Sequence, residues 1–250
     1  MSEQSLVVKF GSDLVTNEQG VMKDALDEYA NGLSAERRKL IVVTSGAVAM
    51  GRQLWHERNA EAEVDLRVLA TLGSAGITAA WQEAFAKQEI LAGQLLVTHH
   101  EIDDGEEGYA FVDTLKAEGA AGVVPVVNEN DALSNTELMK LATGGDNDGL
   151  AACIAAAISA EELRIFTKKG GIVDDDDTLI KQVDENNYEE VAVMLDRRAI
   201  RRNSNGRGGM ASKLAAAWRA ADTCSRVIIA APNKAMNGEK PTVVTKNGKI

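Results

Sequence analysis

The sequence predicts an α/β fold, a mainly parallel sheet covered by helices on both faces. Two observations carry this expectation. Short apolar, β-branched runs alternate along the chain with longer helix-compatible segments, the pattern of strands joined by crossover helices. The 250 residues, 45% of them hydrophobic, are enough to bury one substantial core, so a single domain is expected.

Taken in order, residues 6–10 form the first strand, and it ends in Lys9-Phe10-Gly11-Ser12. A lysine thus leaves the carboxyl end of a strand just before a glycine turn, where α/β folds hold their ligands. Residues 22–38 read as a helix and 40–44 as the second strand. That strand runs through Thr44-Ser45-Gly46-Ala47-Val48 into another helix, whose free backbone N–H groups can face an anion; a serine cap explains the same turn equally well. Residues 62–88 read as a long helix, 90–97 and 122–127 as strands, and 111–118 as the helix between them.

Val126-Val127-Asn128-Glu129-Asn130-Asp131 follows the fourth strand, and Gly144-Gly145-Asp146-Asn147-Asp148 opens an Ala-rich helix over 149–160. Amides and carboxylates at a strand end and a helix start can hold an ammonium group or orient lysines and bound magnesium. Capping accounts for either motif alone; two such motifs beside several glycine turns favour a site. Residues 163–167 are the fifth strand. Asp174 to Asp177 reads as a solvated acidic turn, and Arg197 to Asn205 as a polar loop.

Asn205-Gly206-Arg207-Gly208-Gly209-Met210-Ala211-Ser212-Lys213 is a third glycine turn, opening a helix over 210–222 with a lysine in its first turn. Glycines let backbone approach phosphate, and Lys213 adds a full charge there. The spacing fits neither a Walker A loop nor the Gly-x-Gly-x-x-Gly dinucleotide fingerprint. On this helix Met210, Leu214, Ala217, Trp218 and Ala221 share one face, so Trp218 reads as core rather than ligand-stacking. Residues 226–230 are the last strand.

Charge and composition narrow the function classes. With 27 Lys and Arg against 38 Asp and Glu, the net charge is −11; such a surface repels nucleic acid and anionic membranes, and an anionic substrate would need a locally positive pocket. Cys153 and Cys224 have no second Cys or His at metal-ligand spacing, which argues against zinc and disulfides. The first residues are polar and no run reaches the about 18 apolar residues of a membrane span, so a cytoplasmic location is expected.

These motifs together resemble the amino-acid kinase superfamily and, within it, the glutamate 5-kinase family. Lys9-Phe10-Gly11-Ser12 is similar to the family's opening Lys-x-Gly-Ser/Thr, and Ser45-Gly46-Ala47-Val48 to its Ser-Gly-Ala-Val turn. Asn128-Glu129-Asn130-Asp131, Gly145-Asp146-Asn147-Asp148 and Gly208-Gly209-Met210 with Lys213 are similar to its later motifs, in family order. The resemblance implies a three-layer αβα sandwich on about eight strands, spanning 1–250 as one kinase domain without the C-terminal RNA-modifying-type (PUA-like) domain of many bacterial members.

It further implies ATP-dependent phosphorylation of the γ-carboxylate of L-glutamate, the first step of proline biosynthesis, by a homodimer or homotetramer. Lys9 and Lys213 would embrace the transferring phosphoryl group, with Asp148 positioning them. Ser45, Gly46, Ala47, Asp131 and Asn147 would bind glutamate. Lys9, Gly11, Thr167, Lys168, Gly208, Gly209, Met210 and Lys213 would line the nucleotide, with Mg2+ carried by the ATP rather than by a protein metal site. His56, His99 and His100 are left without a catalytic role. One departure stands out: where the family reads Thr-Asp-x-x-Gly-Leu, this chain has Thr167-Lys168-Lys169-Gly170-Gly171-Ile172. Kinases acting on acetylglutamate, aspartate, carbamate or nucleoside monophosphates remain alternatives, as does a regulatory nucleotide-binding homologue.

Overall fold

The computed structural model describes residues 4–59, 63–103, 105–133, 147–201, 209–233 and 236–246. Its centre is an eight-stranded sheet built from β1 (Ser5–Phe10), β4 (Lys39–Thr44), β5 (Leu91–Val97), β6 (Val123–Glu129), β7 (Glu162–Phe166), β8 (Gln182–Val183), β9 (Arg226–Ala231) and β10 (Glu239–Val244), in the order β5-β6-β4-β1-β7-β9-β10-β8. All pairings in it are parallel except β9 with β10. A separate hairpin pairs β2 (Thr16–Asn17) with β3 (Gly20–Val21).

Side chains alternate across the central strands, and the alternation splits the core in two. Leu6, Val8 and Phe10 of β1, with Val42 and Val126, pack under α2 (Lys23–Ser34) and α4 (Leu66–Ala86). Val7, Val43, Val127 and Ile165 pack on the other face under α6 (Gly105–Ala120), α7 (Asn147–Ala157), α8 (Tyr188–Arg201) and α9 (Met210–Ala220). The result is the three-layer αβα sandwich expected from the sequence. Two short helices, α1 (Ser12–Val15) and α5 (His99–Asp103), fill loops, and α3 (Ala47–Asn59) lies against α4.

The α3 and α4 backbones meet at glycines. A Cβ on Gly73 would stand 1.9 Å from the Ala47 carbonyl oxygen, and one on Gly51 would stand 1.8 Å from that of Leu69. No side chain fits at either crossing point, so the glycines set the helix separation.

Some expectations are corrected. Arg197, placed in a polar loop from the sequence, lies inside α8, which continues to Arg201; residues 202–205 of that loop lie outside the described residues. Val191, Met194 and Leu195 give α8 its buried face. Arg198 turns outward to the 174–177 turn, bonding Asp175 at 2.8 Å and the Val173 carbonyl at 2.8 Å. The helix expected over 111–118 starts at Gly105, and the one expected from residue 62 starts at Leu66, where Asp65 caps the Arg67 N–H. Trp218 is partly buried, stacked on Tyr188 with ring centroids 4.2 Å apart.

At the amino ends of the strands lies an ionic network centred on buried Glu162. Glu162 of β7 pairs with Arg38 at 2.8 Å, Arg164 at 3.1 Å and Arg226 at 3.2 Å, and Arg38 also grips Glu36 at 2.7 Å. The hydrogen bonds from Arg38 outweigh partial burial and hold the Glu36 carboxyl down at about 2.

Candidate active site

The opposite, carboxyl end of the sheet collects the motif residues. Phe10 of β1 is in register with Thr44 of β4 on one side and Phe166 of β7 on the other. Gly11, Ser45 and Thr167 therefore leave the sheet side by side. The chain leaves β1 toward β4 on one side and β7 toward β8 and β9 on the other, so the carboxyl ends of β1 and β7 flank the switch point at which open α/β sheets leave a crevice.

Lys9 points to the α7 side of the sheet, where Asp148 occupies the first helical turn. The Lys9 Nζ to Asp148 Oδ1 distance is 2.6 Å, and Lys213 Nζ, from the first turn of α9, reaches Asp148 Oδ2 at 3.0 Å. One carboxylate thus clamps two ammonium groups. Lys9 is 4% exposed, Asp148 3% and Lys213 9%.

The electrostatics follow from burial and pairing. Burial favours the neutral form of Lys9 and lowers its pKa; Asp148 opposes that, and Lys213 adds to the lowering. Burial likewise would raise the Asp148 carboxyl, but the facing Lys9 and Lys213 charges overcome it and hold it below the usual carboxylate range. The first-turn position on α7 favours the anion further, because the positive end of the helix dipole lies there. Within the clamp itself, two ammonium groups contact one carboxylate, a local excess of positive charge that suits a polyphosphate.

Beside it lies a cleft of about 140 Å³ lined in part by Ala47, Ser74, Leu96, Glu129, Asn130 and Asp131. At ~30 Å³ per water, this is room for a small polar molecule. Two acidic side chains enter it from the end of β6, and the start of α3 enters from the other side. The Asn130 N–H donates to the Val97 carbonyl at 2.8 Å, fixing the strand end. Gly46 turns the chain into α3 at φ 111°, a conformation glycine adopts without strain; a Cβ there would press on Val15, Thr16 and Ile77 at 3.0 to 3.1 Å.

Of the glutamate-site residues expected from the sequence, Ala47 and Asp131 line this cleft. Ser45 and Gly46 sit half-buried at the turn just before Ala47. Asn147 is buried, and its Oδ1 accepts the Glu129 N–H at 3.3 Å, tying α7 to β6. The nucleotide-side residues are less uniform. Thr167 is buried and its hydroxyl closes its own turn, donating to the Gly170 carbonyl at 2.6 Å and accepting the Gly170 N–H at 3.1 Å. Lys168 is exposed, Gly209 is exposed and Met210 is half-buried at the start of α9; Gly208 lies outside the described residues, as do Gly145 and Asp146.

Sequence reading did not assign Ser74, Leu96 or Glu129 to the site. Glu129 stood inside a quoted motif, whereas Ser74 carries no local signal; it arrives because Gly51 and Gly73 let α4 close on α3.

Comparison with known proteins agrees with this geometry. The profile described as the Amino acid kinase family matches residues 4–231. The chain therefore belongs to the amino acid kinase family. Among curated proteins it is similar to the glutamate 5-kinase of Paraburkholderia phytofirmans, 35% identical over 92% of this chain and 63% of the relative. It is also similar to that of Pasteurella multocida, 34% identical over 93% of this chain and 64% of the relative. The chain thus spans a little under two thirds of the length of these relatives.

Among solved structures, Giardia carbamate kinase superposes with a TM-score of 0.65 at 14% identity, covering 99% of this chain and 100% of that one. UMP kinase from Ureaplasma parvum gives 0.59 at 12% identity, covering 97% and 99%. At such identities the likeness concerns the fold alone.

Proposed function

We propose that this chain transfers the γ-phosphoryl group of ATP to the γ-carboxylate of L-glutamate, yielding glutamyl 5-phosphate and ADP, the first step of proline biosynthesis. The observation that carries the reading is the Lys9, Asp148 and Lys213 clamp beside an amino-acid-sized acidic cleft. The glutamate 5-kinase names of the similar proteins support it.

The acceptor carboxyl, with a solution pKa near ~4.3, is already ionised at neutral pH, so its oxygen attacks without a general base. The bond to phosphorus forms as the bond from phosphorus to the ADP oxygen breaks, and ADP leaves with that electron pair. The difficulty is bringing two anions together. Lys9 and Lys213 take up the charge spread over the transferring oxygens, and Asp148 keeps both ammonium tips oriented. Magnesium, if carried in on the ATP, would add further neutralisation of the phosphate charge.

In the cleft, Asp131 takes the substrate ammonium by a charge-assisted hydrogen bond, Asn147 fixes the wall, and the Ser45-Gly46-Ala47 turn offers backbone N–H groups to the α-carboxylate. Thr167, Lys168, Gly209 and Met210 take the nucleotide side. A cytoplasmic setting is part of this reading; no helix of the described residues is long and apolar enough to cross a membrane. Homo-oligomerisation, also proposed, finds support in exposed Val68 and Leu72 on α4 and Leu91 on edge strand β5; sedimentation equilibrium tests it.

The direct test incubates the purified chain with ATP, magnesium, glutamate and hydroxylamine. Glutamyl hydroxamate forms if the reading holds. Hydroxamate only with acetylglutamate, aspartate or another acceptor, or none with any, rejects it.

A further inference from the structure

We propose that Asp13, a residue outside the clamp, is a positioning residue that keeps the Lys9 ammonium charged and in place until the nucleotide phosphates arrive. The proposal rests on the phosphoryl-transfer reading above.

The first observation is geometric. Gly11 makes the step from β1 into α1, and the space that a Cβ would take there is bounded by Asp13 Oδ1 at 2.8 Å and Lys9 Nζ at 3.7 Å. Carboxylate and ammonium therefore lean over the same glycine. They form no direct ion pair, yet they are close enough for Coulombic attraction.

The second observation is charge balance. Asp148 alone faces two ammonium groups, and one anion cannot neutralise both. The charged groups acting on Lys9 are Asp148 from α7, Lys213 from α9 and Asp13 from α1. Asp13 is therefore the second carboxylate of the cluster. Burial pushes Lys9 toward its neutral form and Lys213 pushes the same way, while Asp148 and Asp13 push back. A neutral Lys9 cannot stabilise phosphoryl oxygens, so the carboxylate that retains its proton widens the pH range of a competent site.

The third observation is that Asp13 has no competing structural role. It is exposed and makes no hydrogen bond or ion pair among the described residues. It does not cap α1, and that helix is only four residues long, too short to build a dipole that an acid would stabilise appreciably. Being exposed, Asp13 is free to swing out when phosphate oxygens replace it beside Lys9.

The test uses the full chain with 15N-labelled lysine, following the Nζ resonance of Lys9, assigned by its loss in Lys9→Arg, as a function of pH. In Asp13→Asn the Lys9 titration moves to lower pH by about half a unit or more; in Asp13→Glu it stays near the wild-type position. The alkaline limb of kcat/KM for ATP moves with it in the asparagine variant and is restored in the glutamate variant, with less change in kcat, because bound phosphate has by then taken the place of Asp13. An unchanged Lys9 titration in Asp13→Asn overturns the proposal. A shifted titration in a protein that forms no glutamyl hydroxamate keeps the positioning role and rejects the glutamate reading, so the two failures are separable.

Discussion

Lys9 Nζ stands 2.6 Å from Asp148 Oδ1, and this contact joins the first strand of the sheet to the helix that follows the acidic motifs. The other oxygen of the same carboxylate carries Lys213, from late in the chain, at 3.0 Å. Two like charges are thereby held at a fixed separation in a buried place, a costly arrangement unless an anionic ligand completes it.

Removing either ammonium removes one preorganised donor. Lys9→Ala and Lys213→Ala each lower kcat at least ~10²-fold, and the double variant loses less than the product of the two effects, because both lysines act on one transition state. Steady-state kinetics of the three proteins checks this.

Asp148→Asn leaves two buried ammonium groups without the carboxylate that pairs both of them. Stability falls by about 3 kcal/mol, in the range for breaking a buried ion pair, as read by urea unfolding. Since Asp148 raises the Lys9 pKa against burial, its loss lowers that pKa, and the alkaline limb of the rate profile shifts to lower pH.

Gly73→Ala inserts a methyl 1.9 Å from the Ala47 carbonyl oxygen and 2.5 Å from the Gly51 nitrogen. The α3 and α4 backbones must separate, costing about 1 to 3 kcal/mol by overpacking. Ala47 and Ala70 line the cleft, so the KM for glutamate rises more than the KM for ATP. Thermal melts and the two KM values decide it.

Glu36 offers a pH signature far from the site. Its folded pKa is lowered to about 2 from a reference of 4.5, so its stabilising contribution is full above about pH 4.5 and is lost as pH falls toward 2. Glu36→Gln therefore melts below the wild type at pH 7, and the gap closes as the pH is lowered through that window.

Much of the fold was legible because its signals are local. The six long strands expected from β-branched runs are present in β1, β4, β5, β6, β7 and β9. β10 reads Glu-Lys-Pro-Thr-Val-Val; its proline and charges mask a strand that tertiary pairing with β9 makes possible. β8 and the β2–β3 hairpin have two-residue strands, too short for any periodicity. In α8 the arginines 197, 198 and 201 read as a loop, although Val191, Met194 and Leu195 already carried the helical spacing.

The site divides in the same way. Lys9, Asp131, Asn147, Asp148 and Lys213 stand in dense motifs, and the structure places each at the carboxyl end of the sheet. Asp13 follows the Lys9-Phe10-Gly11-Ser12 motif without being part of it and Ser74 has no motif around it; their places beside the site depend on the path of the chain after Gly11 and on a helix crossing that only three dimensions reveal. Thr167 was legible as a position but not as a state, since its hydroxyl is already engaged by Gly170.

The most direct measurement is a crystal structure of the chain with magnesium, a non-hydrolysable ATP analogue and glutamate. The account predicts the tips of Lys9 and Lys213 on oxygens of the γ-phosphate, Asp148 still between them, and the glutamate γ-carboxylate in line with the phosphorus. A nucleotide bound with its γ-phosphate away from both lysines, or glutamate seated outside the Ala47 and Asp131 cleft, would contradict it.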